Sequence, residues 1–213
     1  CSTLLARAFD ILGIAMGLKE PVILNDFVGW KARGAREHDP QIVLTDILGL
    51  LARPFEKGET IIAKPSSLIN VIAPEIMQRN TAAKALFLYA PLDAFLGSIA
   101  RKGMWGRLWV RELMSKQLRD GMINLGLADD DYIRLTDLQT AAVVWLAQHS
   151  LFMNLQQKLD EGRIITLDST TLMTSSKDAM KRISEHFDLK LEDEAINEIV
   201  SGPAFTRHSK TNV

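Results

Sequence analysis

The sequence predicts a strongly helical α/β protein built as a three-layer parallel sheet flanked by helices. Three compact apolar runs, at residues 60–63, 85–89 and 164–167, are of the kind that is buried between layers. Each run is followed by a turn and then by a helical pattern. Strands, turns and helices repeated in this order are typical of parallel sheets, whose ligands bind beyond the carboxyl ends of the strands.

Helix signals cover most of the remaining chain. Leu4, Leu5, Ala8 and Ile11 recur at helical spacing and predict an amino-terminal helix that Gly13 is expected to end. The other predicted features are a capping box at Thr136–Gln139 opening a long helix over 141–159, an amphipathic stretch over 106–127, a helix over 178–187 capped by Ser176, a helix over 191–200, and a loop over 202–213.

Composition narrows the class of protein. The chain has 213 residues, 47% of them hydrophobic and 24% charged, as in an ordinary globular protein, and we expect one domain over residues 1–213. A formal net charge of −1 gives no overall field that attracts nucleic acid, so no nucleic-acid partner is expected. No apolar run approaches the ~20 residues that span a bilayer, so the chain is not expected to be transmembrane.

The cysteine and histidine contents bear on compartment and metal binding. Cys1 is the only cysteine, so no internal disulfide is available, which fits a reducing compartment and predicts a cytoplasmic location. The amino terminus lacks the pattern of a signal peptide. The four histidines show no metal-ligand spacing, so we predict no metal site.

The first helix begins with small hydroxyl residues, Ser2 and Thr3, after Cys1. Free backbone N–H groups and hydroxyls at a helix start can bind a phosphate or a sulfate. Taken alone, the same residues are also typical of simple N-capping.

Ser2-Thr3-Leu4-Leu5 resembles the end of the phosphosulfate-binding loop of PAPS-dependent sulfotransferases, bacterial ones among them, where PAPS is 3′-phosphoadenosine 5′-phosphosulfate. Cys1 falls where that family usually has Gly, and we expect the first strand and the basic residue of the loop to precede residue 1. Further segments resemble family motifs in the same order along the chain, at residues 18–21, 60–67, 85–93, 163–168 and 205–210. The likeness spans nearly the whole chain and implies that the three-layer sheet is of the P-loop type.

The resemblance implies transfer of a sulfuryl group from PAPS to a hydroxyl or amine on a small molecule, lipid or glycan. Positioning and charge stabilisation carry such a reaction, by analogy with phosphoryl transfer. Glu20 is implied as the base, provided that burial raises its pKa toward neutrality, and Lys64 at a strand end would supply the cation. Cys1, Ser2 and Thr3 would hold the 5′-phosphosulfate. A helical region over about residues 104–160 would form the acceptor side.

The sequence departs from the family pattern at the residue that binds the 3′-phosphate of the nucleotide. The family usually has Arg just after the strand at 85–89, where this chain has Tyr89 and Ala90, neither of which can make a charge-assisted contact. The resemblance implies Ser98 as a ligand. Arg101, Arg207 or Lys210 would have to replace the missing Arg, or the affinity for PAPS is weak, or the donor differs.

Several alternatives stay open. Glu20 is also typical of a solvated turn, Lys64 of a rim charge, and Ser98 of a helix serine bonded to its own backbone. The rival to an enzyme is a catalytically inactive P-loop-like binding or scaffold protein, and a third reading is transfer of another phosphorylated group. A homodimer is left open.

One stretch rich in basic and aromatic residues is not explained by any of these functions. Lys102, Arg107 and Arg111 lie close in sequence to Trp105 and Trp109, which is a pattern found in nucleic-acid binding. With a nearly neutral chain, a solvated face of an amphipathic helix is the favoured interpretation.

Overall fold

The structure is a computed structural model that describes residues 2–34 and 37–206. The chain is α/β and mostly helical, as predicted. Its strands are β1 (Ala15–Lys19), β2 (Thr60–Lys64), β3 (Ala85–Tyr89) and β4 (Ile164–Asp168). The last three confirm the predicted strands to within one residue, whereas β1 was not predicted. In the described residues the strands form two two-stranded sheets, β1–β2 and β3–β4, rather than one continuous sheet.

The helices account for most of the described chain. They are α1 (Ser2–Ala8), α2 (Val22–Ala32), α3 (Pro40–Leu51), α4 (Ala73–Arg79), α5 (Leu92–Arg101), α6 (Gly103–Arg119), α7 (Asp129–Arg134), α8 (Asp137–Lys158), α9 (Ser169–Thr174), α10 (Ser176–His186), α11 (Asp193–Ser201) and α12 (Pro203–Thr206), with a 3₁₀ helix at Ser67–Ile72. The predicted capping box is confirmed: the side chain of Thr136 accepts from the N–H of Gln139, and the side chain of Gln139 accepts from the N–H of Thr136.

The first helix is shorter than predicted, because α1 ends at Ala8 and the chain then reverses into β1. The carboxylate of Asp10 accepts a hydrogen bond from the N–H of Gly17, and Gly13 adopts a φ of +77° in the turn. The N–H of Gly13 donates to Glu59 at 2.9 Å, which ties this turn to the start of β2. Side-chain and turn hydrogen bonds therefore override the helical spacing of Ile11.

Two predictions in the carboxyl-terminal third are wrong in detail. Ser176 is the first residue of α10 rather than its cap, and its hydroxyl donates back to the carbonyl of Met173. The segment predicted as a loop includes α12, which begins at Pro203, a residue that favours a helix start because its φ is already helical.

The chain divides into two compact units, residues 1–88 with 165–213, and residues 89–164. In the first unit, Leu4 and Leu5 of α1 pack with Leu167, Met180 and Ile183 in a buried core. A second apolar cluster there joins α2, α3 and the 3₁₀ helix. That the chain forms one domain stays a prediction.

The second unit holds the helical region predicted over about residues 104–160. Ile99 of α5, Val110 of α6 and Ala141 of α8 form its buried centre. Across residues 2–34 and 37–206, no helix is both long and apolar enough to cross a membrane.

Gly17 is expected to be required for the packing of α1 on β1. A Cβ atom at this position would lie 2.6 Å from the backbone oxygen of Ala6, so Gly17→Ala must displace the helix or the strand. We expect the free energy of unfolding, measured by urea denaturation, to fall by about 1–3 kcal/mol.

Gly49 in α3 provides the matched control, because nothing lies within 4 Å of a Cβ added there. Gly49→Ala is expected to leave stability unchanged or raise it by about 0.5–1 kcal/mol, since alanine is the better helix residue. Equal effects of the two substitutions would contradict the close approach of α1 to β1.

Candidate active site

The parallel pairing of β1 and β2 brings two sequence-predicted residues to one edge. The register pairs Ala15 with Thr60 and continues to Lys19 opposite Lys64, so both strands end at the same place. The next N–H, that of Glu20, donates to the carbonyl of Lys64 at 2.7 Å. Glu20 and Lys64, 44 residues apart in sequence, are therefore neighbours at the carboxyl edge of this sheet.

Glu20 and Lys64 also join through their side chains in an ion pair, with the ammonium of Lys64 donating to Oε1 of Glu20. The Glu20 side chain is 46% exposed and that of Lys64 is 19% exposed, so the pair lies at the surface with the cation more enclosed. Glu20 has a φ of +49°, in the left-handed region that non-glycine residues seldom adopt. Residues held in such conformations are found disproportionately at functional sites.

The pKa of Glu20 is shifted in the direction opposite to the one expected for a base. The hydrogen bond from Lys64 lowers the pKa of Glu20 from its ordinary value, burial opposes this only partly, and the charges of Lys64 and Lys19 lower it further. The condition set for the base role, a pKa raised toward neutrality, is therefore not met in the free protein, because the carboxylate is too exposed and too close to a cation.

The helix α1, which holds Ser2 and Thr3, packs against β1 in the first unit. The chain reverses between α1 and β1, and Gly17 packs against the carbonyl of Ala6. Ser2 is exposed and Thr3 is half-buried. That Ser2 and Thr3 share a site with Glu20 and Lys64 stays a prediction.

A further polar contact at this edge was missed by the sequence reasoning. The hydroxyl of Ser66, two residues after β2, donates to Oδ1 of Asn25 at 2.7 Å. The contact is partly buried, and Leu24 and Phe27 on either side of Asn25 anchor α2 in the apolar core. The turn at residues 65–67 was visible in the sequence, but nothing there marked Asn25.

The end of β3, where the resemblance expects an Arg, is occupied by aromatic packing in the second unit. The indole N–H of Trp145 donates to the carbonyl of Ala90 at 2.8 Å, and the ring of Tyr89 packs edge-on against His149. His149 also stacks on Trp145, and burial lowers its pKa, so its ring is neutral at pH 7. This position therefore presents no cation.

The remaining predicted ligands are only partly described. Ser98 and Arg101 both lie on α5, one turn apart, with Ser98 half-buried and Arg101 exposed. They belong to the second unit. Cys1, Arg207 and Lys210 lie outside the described residues. Across the described ranges, no cluster of three or more His, Cys, Asp or Glu residues has the arrangement of a metal site.

Among solved structures, the chain is similar to the sulfotransferase domain from the curacin biosynthetic pathway. The likeness covers 97% of this chain and 76% of that one, with a TM-score of 0.57 and 14% sequence identity. The chain has a sulfotransferase-like fold. The fold implied by the resemblance is thereby confirmed. No protein-family model and no curated protein matches the sequence.

The lowered pKa of Glu20 can be tested directly. We expect an NMR titration of the Glu20 carboxyl to give a pKa below the ordinary value of a glutamate in the native protein, because the carboxylate accepts a hydrogen bond from Lys64. The ion pair is thus present at neutral pH and is lost as the pH falls through this lowered pKa. Lys64→Met should raise the Glu20 pKa.

Lys57→Met, which removes an exposed cation in the loop before β2, serves as the control and should leave the Glu20 titration unchanged. A Glu20 pKa that is the same with and without Lys64 would disprove the ion pair.

Proposed function

We propose that the chain is a sulfotransferase that moves a sulfuryl group from PAPS to a hydroxyl or amine acceptor. The observation that carries the proposal is the pairing of Glu20 with Lys64 at the carboxyl edge of a parallel strand pair, in a chain with a sulfotransferase-like fold. Ligands of α/β proteins bind at this edge. A base and a cation are the two groups that the reaction requires there.

Each group has a defined task in the transfer. A bond forms between the acceptor oxygen or nitrogen and sulfur while the bond from sulfur to the bridging oxygen of the phosphosulfate breaks. Lys64 would stabilise the negative charge that develops on the departing adenosine 3′,5′-bisphosphate, and Glu20 would take the acceptor's proton. Ser2 and Thr3 would donate hydrogen bonds to the oxygens of the phosphosulfate.

Donor binding offers a reason for the low pKa of Glu20 in the free protein. An ammonium shared with a carboxylate is drawn toward an arriving phosphosulfate, which carries more charge and more acceptor oxygens. As Lys64 moves to the donor, Glu20 loses the hydrogen bond that lowers its pKa and becomes a stronger base. The base would then be active only when the donor is in place.

The aromatic packing at Tyr89 and Ala90 supports a second candidate, a P-loop-like binding or scaffold protein without activity. It fills the position of the expected Arg with the neutral rings of Tyr89, Trp145 and His149. Under the enzyme proposal, the 3′-phosphate contacts fall to Ser98, Arg101, Arg207 and Lys210. These contacts, the acceptor and the cytoplasmic location stay predictions.

Titration calorimetry with adenosine 3′,5′-bisphosphate separates the two candidates. The enzyme proposal expects a dissociation constant on the order of micromolar. Lys64→Met should weaken binding by about 10- to 100-fold, because a charge-assisted hydrogen bond to phosphate is lost. Lys57→Met, a control of the same chemistry away from the edge, should bind as the native chain does. No binding by the native chain would favour the scaffold.

Glu20→Gln tests the base while keeping the shape of the side chain. We expect release of adenosine 3′,5′-bisphosphate from PAPS, in the presence of alcohol and amine acceptors, to slow by on the order of 10²- to 10⁴-fold. Nucleotide affinity should stay within a few-fold of native. If nucleotide binding is lost instead, Glu20 is a binding residue and its role as the base is excluded.

A further inference from the structure

The turn after α5 and the whole of α6 form a basic segment in an otherwise acidic chain. Residues 101–119 contain six Lys or Arg and one Glu, a formal charge of +5. Because the whole chain carries −1, the other residues together carry −6. Positive charge is therefore concentrated on this segment of the second unit, and apart from Arg101 the proposed chemistry uses none of these cations.

Packing fixes which side of α6 faces outward. Gly106 lies so close to α5 that an added Cβ would meet the carbonyl oxygen of Ile99 at 2.5 Å. Val110 and Leu113 continue this buried side. Met104 and Leu108 are each two residues away from Gly106, which is about half a turn around the helix. They therefore lie together on the side opposite to the buried one.

The outward side carries large apolar side chains. Trp105 is 82% exposed, and Met104 and Leu108 are both more than half exposed. We call these three residues the Trp105 face. Their exposure is not a consequence of a loosely packed helix, because Gly106 and Val110 of the same helix are buried. A soluble surface seldom carries three such side chains together without a binding role.

Cations border the Trp105 face. Lys102 lies 5.7 Å from the ring centre of Trp109, and Arg107 lies 3.6 Å from the carboxylate of Asp137. Asp137 also binds Arg111, at 2.8 Å, so one carboxylate is shared by two guanidinium groups and a positive charge is left over. The border of the face therefore attracts an anionic surface.

We propose that the Trp105 face, with Lys102 and Arg107 at its border, docks onto the surface of a membrane that contains anionic lipids. Tryptophan is favoured at the boundary between headgroups and acyl chains, and leucine and methionine gain from entering it. Lysine and arginine at the border contact the anionic headgroups. A nucleic acid would contact the cations through its phosphates and stack a base on Trp105, but it has no apolar surface that would bury Met104 and Leu108.

Vesicle flotation tests the proposal with the full chain. We expect binding to vesicles of phosphatidylcholine and phosphatidylglycerol at a 7:3 ratio, with little binding to phosphatidylcholine alone, and weaker binding at high salt. The double variant Trp105→Ser/Leu108→Ser should bind at least tenfold more weakly. Lys102→Gln/Arg107→Gln should bind more weakly and with a smaller dependence on salt.

Phe55→Ser is the matched control, because Phe55 is 91% exposed but lies in the first unit, outside residues 101–119. It should bind vesicles as the native chain does. Circular dichroism and the melting temperature of each variant should match those of the native chain, since every substituted side chain is exposed.

Four results would overturn the proposal. The first is no binding to anionic vesicles, and the second is an equal loss of vesicle binding in Phe55→Ser and in Trp105→Ser/Leu108→Ser. The third is a dimer in sedimentation, without vesicle binding, that the Trp105→Ser/Leu108→Ser change dissociates, which would assign the face to a second copy of the chain. The fourth is binding of a single-stranded DNA oligonucleotide, but not of vesicles, that the same change abolishes.

Discussion

The in-register pairing of β1 with β2 is the constraint on which the candidate site depends. It places Lys19 opposite Lys64, and the next N–H, that of Glu20, then closes on the Lys64 carbonyl. Glu20 takes up a left-handed conformation immediately before Pro21. A left-handed backbone costs about 1–2 kcal/mol for a residue other than glycine. The hydrogen bond and the ion pair to Lys64 offset this cost and hold the carboxylate at the sheet edge.

Contacts on both sides of the β1–β2 sheet hold the backbone of Glu20 and Lys64 in place. On one side of the sheet, the absence of a side chain at Gly17 allows α1 to contact β1. The carboxylates of Asp10 and Glu59 accept backbone hydrogen bonds that hold the turn between α1 and β1. On the other side, the contact between Asn25 and Ser66 joins α2 to the segment after β2. Groups on rigid elements keep their geometry better than groups on free loops, which suits a site that works by positioning.

Much of the fold could be predicted because its strands β2, β3 and β4 are compact apolar runs bounded by turns. β1 was missed because its sequence, AMGLK, has a glycine in the middle and follows Ile11 and Leu12, which extend the helical spacing of α1. Tertiary contacts make this segment a strand. Gly17 allows the close approach of α1, and the partner strand β2 begins 45 residues after the first residue of β1. Local patterns carry no such information.

The residues of the site were more predictable than its electrostatics. Glu20 and Lys64 were chosen from motif order, and the structure brings them together. The raised pKa that the base role required is absent from the free protein, and the sequence does not show that Lys64 donates to the Glu20 carboxylate. Asn25 carried no sequence signal, since its contact with Ser66 forms only when α2 packs beside the 3₁₀ helix. The solvated basic residues of α6 were visible as a pattern, but the exposure of Met104, Trp105 and Leu108 was not.

A crystal structure with adenosine 3′,5′-bisphosphate tests the central claim most directly. The expected result is a 5′-phosphate at the edge where β1 and β2 end, with Lys64 Nζ within hydrogen-bond distance of a phosphate oxygen and Glu20 released from the ion pair. A nucleotide bound elsewhere, or a phosphate at this edge with the Glu20–Lys64 pair still intact, would contradict it.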